Sequence, residues 1–390
     1  MDVMFDAWRA RSPFYNETHE EISRLVRRFV QKEVLPDLDH WEATCDTPRE
    51  LNRKAGEAGI TGLGFPEQYG GTSEGIDVFH NLVCAEELAL AGAGGIHSVL
   101  MTHFVALPPV LAMGSDEMKQ RIAPAVLRGE KIMALGVTEP SGGSDVARIK
   151  TTAVRRGEKY IVNGSKMFIS NGMRADYYVT AVRTGGEGMK GISLLLIEKG
   201  SPGFTQTRLD KMGWHCSDTA ALYFDDVEVP VENLIGPENG GFIRILENFN
   251  AERLVAAQSC CGQARVCLAE AAEWARQRYT FGKRLSEHQV IRVKLADMQR
   301  HIDTTQAFVD LCAWRFQQGK IDAADFALLK VQATRTFELV AREAAQVLGG
   351  ASYIRGTKTE RLYREVRVYA IGGGSEEILL DLAGRQLGYC

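Results

Sequence analysis

The sequence predicts an α+β chain in three parts: an N-terminal helical domain over residues 1–131, a small antiparallel β-barrel over 132–238 and a C-terminal four-helix bundle over 239–390. Three observations predict it. Apolar residues recur at helical spacing as far as residue 131 and again from residue 239 onward. Between those points the period drops to two, in short runs rich in β-branched and aromatic residues. Turn dipeptides punctuate that middle stretch: Asn163-Gly164, Asn171-Gly172, Gly185-Gly186 and Pro202-Gly203.

Thr18 and Glu21 have the spacing of a capping box, followed at helical spacing by Ile22, Leu25, Val26, Phe29 and Val30, with Pro36 as the stop. A second helix over 50–59 leads into a Gly-rich loop from Gly62 to Gly75, and helices resume over 77–91, 96–113 and 116–128. In the middle part, strands are expected at 160–162, 166–170, 177–183, 192–198 and 220–224, a spacing that suits a small closed β structure. Long helices then run over 240–278, from a Ser286/Gln289 capping box to 319, and over 322–348, where Gly349-Gly350 stops the pattern. A short helix from Ser375 closes the chain, and brief polar loops between long helices are the pattern of an antiparallel bundle.

With 390 residues, 45% apolar and 25% charged, the chain can bury a large core. A net charge of −4 argues against a nucleic-acid binder. The eight cysteines form no CxxC pair and read as small hydrophobes. The eight histidines show no ligand spacing, so no metal is expected. No run of 18 consecutive apolar residues occurs, so no membrane span is expected. The first residues carry acids and no basic region of a secretory signal, which makes the cytoplasm, or an organellar matrix for a processed form, the expected location.

Three features could carry chemistry. Glu252 follows Phe249, Ile245 and Phe242 on an apolar stripe, and its neighbours three and four positions away (Asn248, Phe249, Val255, Ala256) include no cation. A carboxylate so placed is a candidate general base whose pKa burial would raise; an ion pair with a distant Arg is the alternative. The segment from Leu135 through Val137, Thr138, Gly143 and Ser144 reads as a strand running into a Gly-rich, hydroxyl-bearing loop suited to phosphate groups, or as a plain turn. It lacks the GxGxxG of a dinucleotide-binding βαβ unit. Ile371-Gly372-Gly373-Gly374-Ser375-Glu376-Glu377-Ile378 could bring backbone close to a ligand, or be a flexible linker ending at a Ser cap.

Taken together, the motifs resemble the acyl-CoA dehydrogenase family over nearly the whole chain. Val137-Thr138-Glu139-Pro140-Ser141-Gly142-Gly143-Ser144-Asp145 is similar to its TEPGAGSD signature, with Ser-Gly for Gly-Ala. Lys166-Met167-Phe168-Ile169-Ser170-Asn171-Gly172 resembles its KxWITNG segment, with Phe168 for Trp and Ser170 for Thr. Arg278-Tyr279-Thr280-Phe281-Gly282 with His288-Gln289 resembles its RxxFG…Q pair, and Gln346-Val347-Leu348-Gly349-Gly350 its QxxGG segment.

The resemblance implies FAD as cofactor. Leu135 to Ser144 and Phe168 to Ser170 would line the flavin, with hydrogen bonds from Thr138 and Ser170. Arg278, Phe281, Gln289, Gln346, Val347, Gly349 and Gly350 would reach FAD in a neighbouring subunit of a homotetramer, with Ser375 and Glu377 also at the cofactor. Ser144, Asn250, Arg253, Gly373 and Gly374 would lie along the acyl-CoA substrate. Many family members carry the catalytic Glu in a C-terminal segment like YEGTSQI; aligned on Ile378, that position is Gly373 here. A long-chain and isovaleryl-like subset takes its Glu from an ERL segment, which is Glu252-Arg253-Leu254 here. The implied reaction is α,β-dehydrogenation to the trans-2-enoyl-CoA in fatty-acid β-oxidation. Glu252 would be the base, flavin N5 the hydride acceptor, the Gly373 N–H a donor to the thioester oxygen, and an electron-transferring flavoprotein the electron acceptor. An oxidase, a flavin monooxygenase or a non-catalytic acyl-CoA-binding protein on the same scaffold are the alternatives.

Overall fold

The alternation of apolar side chains along the middle of the chain, and the 3.6-residue spacing on either side, produce a helix–sheet–helix order of elements. The computed structural model describes residues 3–389, leaving aside the side chains of residues 3–5 and 242–248. The helices before the sheet are α1 (Val3–Arg9), α2 (Glu17–Phe29), α3 (Leu38–Thr44), α4 (Glu50–Glu57), α5 (Val78–Ala89), α6 (Gly94–Met101), α7 (His103–Met113) and α8 (Asp116–Leu127). The strands are β1 (Met133–Gly136), β2 (Thr152–Arg156), β3 (Lys159–Ser170), β4 (Tyr177–Arg183), β5 (Ile192–Glu198), β6 (Phe204–Arg208), β7 (Thr219–Pro230) and β8 (Leu234–Ile235). Then come α9 (Gly241–Gln277), a hairpin of β9 (Tyr279–Thr280) and β10 (Lys283–Arg284), α10 (Gln289–Gln317), α11 (Ala323–Leu348), α12 (Lys358–Tyr369) and α13 (Glu376–Gln386). The chain forms two compact units, one of residues Met1–Asp39, Gly75–Gly94 and Arg253–Cys390, the other of His40–Glu74 and Gly95–Glu252.

The second unit is built on the sheet. Its order is β6-β7-β3-β2-β4-β5-β8, with β1 paired to β4. This corrects the expected antiparallel barrel: the sheet is open and mixed. The β2–β3 hairpin separates β1 from β4 in sequence, so β4 returns alongside β1 in the same direction, a parallel pairing from Met133↔Tyr177 to Gly136↔Thr180. At the far edge β8 has only two residues, too few to close a barrel. Asn163-Gly164, expected as a turn, is a bulge inside β3: Asn163 exchanges hydrogen bonds with Asp226, and Gly164 takes φ +141° where a Cβ would meet Thr151.

The apolar run of β5 is buried on both faces, as a central strand requires. Ile192, Leu194 and Leu196 face a core shared with Leu107 and Val110 of α7 and Ile122 and Val126 of α8. Leu195 and Ile197 face the opposite core, with Tyr160, Tyr178, Phe204 and Phe224. The single helix expected over 96–113 is two, α6 and α7, with Thr102 between them. Among the described residues, Gly94–Met113 is the one helical stretch long and apolar enough to cross a membrane by length and composition, and 56% of its apolar 18-residue window is buried inside the fold.

In the first unit, α11 packs against α10, α12 and α13. The expected four-helix bundle therefore gains a helix, α12. Its apolar stripe is masked in sequence by charges, two of which turn inward: Glu365 accepts the Gly94 N–H at 2.7 Å and Arg361 donates to Asp39 at 2.6 Å. The first capping box belongs to Asn16 and His19, not to Thr18 and Glu21. Asp77 and His80 repeat it at the start of α5. These two histidines and Asp77 are, among the described residues, the one group close enough to share a metal ion. Every ring nitrogen there is already in contact: His19 with Asn16 N–H and Asp77, His80 with Asp77 N–H and Thr18. Likewise α10 starts at Gln289 without a side-chain cap, and the capping box beside it is Arg284/Glu287. The cysteines other than Cys390, which lies outside the described residues, are free thiols; burial pushes Cys84, Cys261 and Cys312 up to about 12.

Burial has a further consequence at two histidines of the sheet unit. His97 and His103 are held down to about 4 by desolvation, against an ordinary 6.5. Between those values the unfolded chain takes up protons that the folded chain refuses. Stability is therefore complete above pH 6.5 and is lost as pH falls toward 4, by up to about 3 kcal/mol for each group. Urea denaturation at steps from pH 7 to pH 4.5 should show this fall, and His97→Gln should make it shallower. An unchanged slope in that variant would contradict the assignment.

Candidate active site

Sequence and backbone together build the first part of the site at the end of β1. The chain leaves the sheet after Gly136 and enters the loop from Val137 to Asp145. A buried ion pair holds this loop: the Lys166 ammonium, 0% exposed, donates to Glu139 Oε1 at 2.8 Å and to the Val137 carbonyl at 3.1 Å. Glu139 also accepts the N–H groups of Lys150 and Thr151, at 2.6 and 2.9 Å. Burial pushes Lys166 down to about 8 despite Glu139 beside it. Burial works the other way on Glu139, but Lys166 and the hydrogen-bond donors keep its carboxyl below the ordinary range. So the loop is fixed by a pair that neither partner can leave cheaply.

The same anchoring deforms β3. Met167 turns its N–H from the ladder to the Thr138 carbonyl, at 2.8 Å, and the register with β7 shifts between Lys166 and Ile169. Phe168 is thereby placed in the left-handed region, φ +62°, with its ring 68% exposed. An aromatic residue held in that conformation on a surface is strain that burial does not explain. Around it, the Thr138, Gly143 and Ser144 N–H groups and the Thr138, Ser144 and Ser170 hydroxyls make no hydrogen bond among the described residues. An exposed ring beside unused donors fits a flat, conjugated group with a polar edge. Three expected contacts are qualified: Leu135 is half-buried, while the Val137 and Ile169 side chains lie in the two cores, leaving only their backbone to a ligand.

Glu252 sits within α9, half-buried, after Phe249, whose side chain packs on the core of the sheet unit. It has an interaction partner, as do Asn250 and Arg253, so the absence of a cation three or four positions away did not leave it isolated. The Phe242, Ile245 and Asn248 side chains of the stripe lie outside the described residues. Arg253 is buried.

The helical unit carries the remaining candidates. Gly372, Gly373 and Gly374 join α12 to α13, and Ser375 caps α13 by accepting the Ile378 N–H, which commits its hydroxyl. Gly373 and Gly374 take φ +68° and +103°, conformations open to glycine. This segment is not a loose linker: the Ile371 and Gly372 N–H groups bond to Val368, and the Gly374 carbonyl accepts from Lys330 Nζ at 2.7 Å. Glu377 is exposed. Arg278 is exposed at the base of the β9–β10 hairpin, whose tip, Phe281-Gly282, has φ +51° and +78° and presents a Phe281 ring that is 98% exposed. Gln289, Gln346, Gly349 and Gly350 are exposed, and the Val347 side chain is in the core. Sequence reasoning passed over Lys166, Glu139 and Lys330 as functional residues. A lysine inside an apolar stretch such as Phe326-Ala327-Leu328-Leu329-Lys330-Val331 was the available signal.

Comparison with known proteins covers almost the whole chain. Family models described as the N-terminal, middle and C-terminal domains of acyl-CoA dehydrogenase match residues 16–130, 134–227 and 239–388. The mitochondrial long-chain specific acyl-CoA dehydrogenase of Mus musculus is 34% identical over 96% of this chain and 87% of its own length. A probable acyl-CoA dehydrogenase from Mycobacterium abscessus superposes with a TM-score of 0.94 at 43% identity, over 96% of this chain and 100% of that one. A glutaryl-CoA dehydrogenase from Mycobacterium smegmatis, solved in complex with FADH2, does so with a TM-score of 0.89 at 25% identity, over 97% of this chain and 96% of that one.

The buried pair yields a direct expectation. Lys166→Met leaves Glu139 buried without its cation and should destabilise the chain by about 3–5 kcal/mol in urea titration. Adding Glu139→Gln, which removes the unpaired charge and keeps one acceptor oxygen for the Lys150 or the Thr151 N–H, should recover part of that loss. Strictly additive losses would show that the two do not act as a pair.

Proposed function

The chain belongs to the acyl-CoA dehydrogenase family, and from that premise we propose that it oxidises an acyl-CoA thioester to the trans-2-enoyl-CoA with Glu252 as the base and FAD as the cofactor. The observation that carries the assignment is Gly373. A glycine stands where many relatives place their catalytic carboxylate, and its φ of +68° lies in the left-handed region that favours glycine. The base must then come from elsewhere, and Glu252, half-buried in an ERL segment, is the carboxylate that the family resemblance supplies.

Thr138, Gly143, Ser144, Phe168 and Ser170 supply the ring platform and the unused donors for the flavin. The flavin, when bound, accepts the hydride that leaves the β-carbon. Glu252 removes the α-proton, and charge then builds on the thioester oxygen. The Gly373 N–H, which has no acceptor among the described residues, is the protein's donor for that oxygen. A donor aimed at a developing oxyanion contributes on the order of 3–4 kcal/mol in a well-studied case. The bound acyl chain excludes water, which favours the neutral form of Glu252 and brings base and task closer together. Ser144, Asn250, Arg253 and Gly374 line the path of the CoA portion.

The exposed Arg278, Phe281, Gln289 and the Gln346–Gly350 segment are left for a neighbouring subunit's FAD, in a homotetramer. An electron-transferring flavoprotein takes the electrons onward, and the enzyme works in the cytoplasm. Glycine at 373 leaves space for long or branched acyl groups, a reading supported by the likeness to the long-chain enzyme of Mus musculus.

Glu252→Gln should bind acyl-CoA yet fail to bleach the flavin absorbance under anaerobic mixing, with a rate lower by at least about 100-fold. Undiminished bleaching in that variant would sink the base assignment. A panel of straight and branched acyl-CoAs in the parent names the substrate class, and a preference confined to butyryl-CoA would contradict the long or branched reading.

A further inference from the structure

Three consecutive glycines form the most mobile tripeptide a chain can contain, a poor mount for a catalytic N–H. Yet Gly372–Gly374 is pinned on both sides. Upstream, the Gly372 N–H bonds to the Val368 carbonyl at 2.8 Å and the Glu376 N–H folds back to Ala370 at 3.2 Å. Downstream, α11 reaches the segment with two side chains. Lys330 donates to the Gly374 carbonyl at 2.7 Å, and Arg335 donates to the Glu376 carboxylate at 3.0 Å. The packing of Ala327 and Val331 against Leu379 and Ala383 seats α13 on the same helix. Gly374 presses on Leu379, where an added Cβ would meet the side chain at 3.1 Å.

Lys330 is only 2% exposed. Burying an ammonium group is costly, and a leucine at this place in a helical core would serve stability as well or better. What the lysine supplies and a leucine cannot is a fixed position for the Gly374 carbonyl. Between that carbonyl and the bonded Gly372 N–H lie two amides with no acceptor among the described residues, that of Gly374 and, at the position in question, that of Gly373. The orientation of that N–H is thus set by the two ends, one of which is the lysine. An ammonium set against this loop also adds positive potential there.

We propose that Lys330 is a positioning residue for the α-proton step: by clamping the Gly374 carbonyl it fixes the Gly373 N–H that receives the enolate oxygen. The proposal rests on the reading of Gly373 given above and extends it to a residue outside the motifs. No bond to Lys330 forms or breaks. The α-proton goes to Glu252, and Lys330 keeps its own protons throughout.

The test uses the FAD-loaded enzyme and 3-thiaoctanoyl-CoA, whose sulfur in place of the β-carbon allows loss of the α-proton but no hydride. The pH midpoint of its deprotonation, read as the long-wavelength absorbance of the bound anion, reports how well the oxygen is stabilised. Lys330→Met should raise that midpoint by about one pH unit, a tenfold change, with analogue Kd altered less than about threefold. Lys330→Arg should restore part of the shift. A second reading, independent of the base, is the stretch of a ¹³C-labelled thioester carbonyl bound to the Glu252→Gln enzyme, which should move to higher frequency when Lys330→Met is added.

A parental midpoint together with a parental carbonyl frequency in Lys330→Met overturns the proposal. If Lys330→Met does not fold or hold FAD, Lys330→Leu, which likewise removes the donor, takes its place. Its raised midpoint, restored by Lys330→Arg, supports the proposal, and parental midpoints in both overturn it. Deprotonation of the analogue by Glu252→Gln would refute the base assignment alone, because the comparison at Lys330 is made against the parent and stands without it.

Discussion

The contact between Lys166 and Glu139 is the constraint on which the site in the sheet unit depends. It ties the loop after β1 to the bulged part of β3. The carboxylate at the same time takes up the two amides, Lys150 and Thr151, that lead into β2. Three stretches distant in sequence thus share one buried charge pair. Removing it would release the loop, relax the bulge and let Phe168 return to an ordinary strand conformation. The strain at Phe168 is sustained by the surroundings and not by any preference of its own.

In the proposed function, ligand-facing chemistry falls mostly to backbone amides and small hydroxyls, while charged side chains among the described residues do the holding. Lys166 holds Val137 and Glu139; Lys330 holds Gly374; Glu270 receives the first amides of α12. Amides offer donors without adding titratable groups, which suits a reaction in which charge appears only transiently. They are only as accurate as their supports, and that explains why lysines are tolerated in two apolar cores.

Much of this was legible in the sequence. The bounds of β4 and β5 followed from unbroken β-branched and aromatic runs, and those of α9 and α11 from long 3.6-residue stripes ending at Arg278 and at Gly349-Gly350. Family-like motifs pointed to the loop after β1, Phe168 and Glu252. What was not legible depends on partners far away along the chain. Strand direction is one case: local periodicity says nothing of whether β4 runs with β1 or against it. The bulge at Asn163-Gly164 looks like a turn until Asp226 is seen to complete it. His19 and His80, at N3 of their helices, show in sequence no sign of serving as caps, because glutamate is the residue usually sought there. Lys330 could be noticed as a charge in an apolar stripe, but its target 44 residues later could not.

The conformation of Gly373 and Gly374 also bears on how such an enzyme can change over time. With both residues at positive φ and Gly374 against Leu379, any side chain introduced at 373 or 374 carries a backbone cost of roughly 1–2 kcal/mol before it does anything useful. A carboxylate placed there by one substitution meets that cost first. Under the proposed assignment the backbone acts as a ratchet: with the base on α9, the glycine loop is free to specialise in shape, and each step back starts uphill.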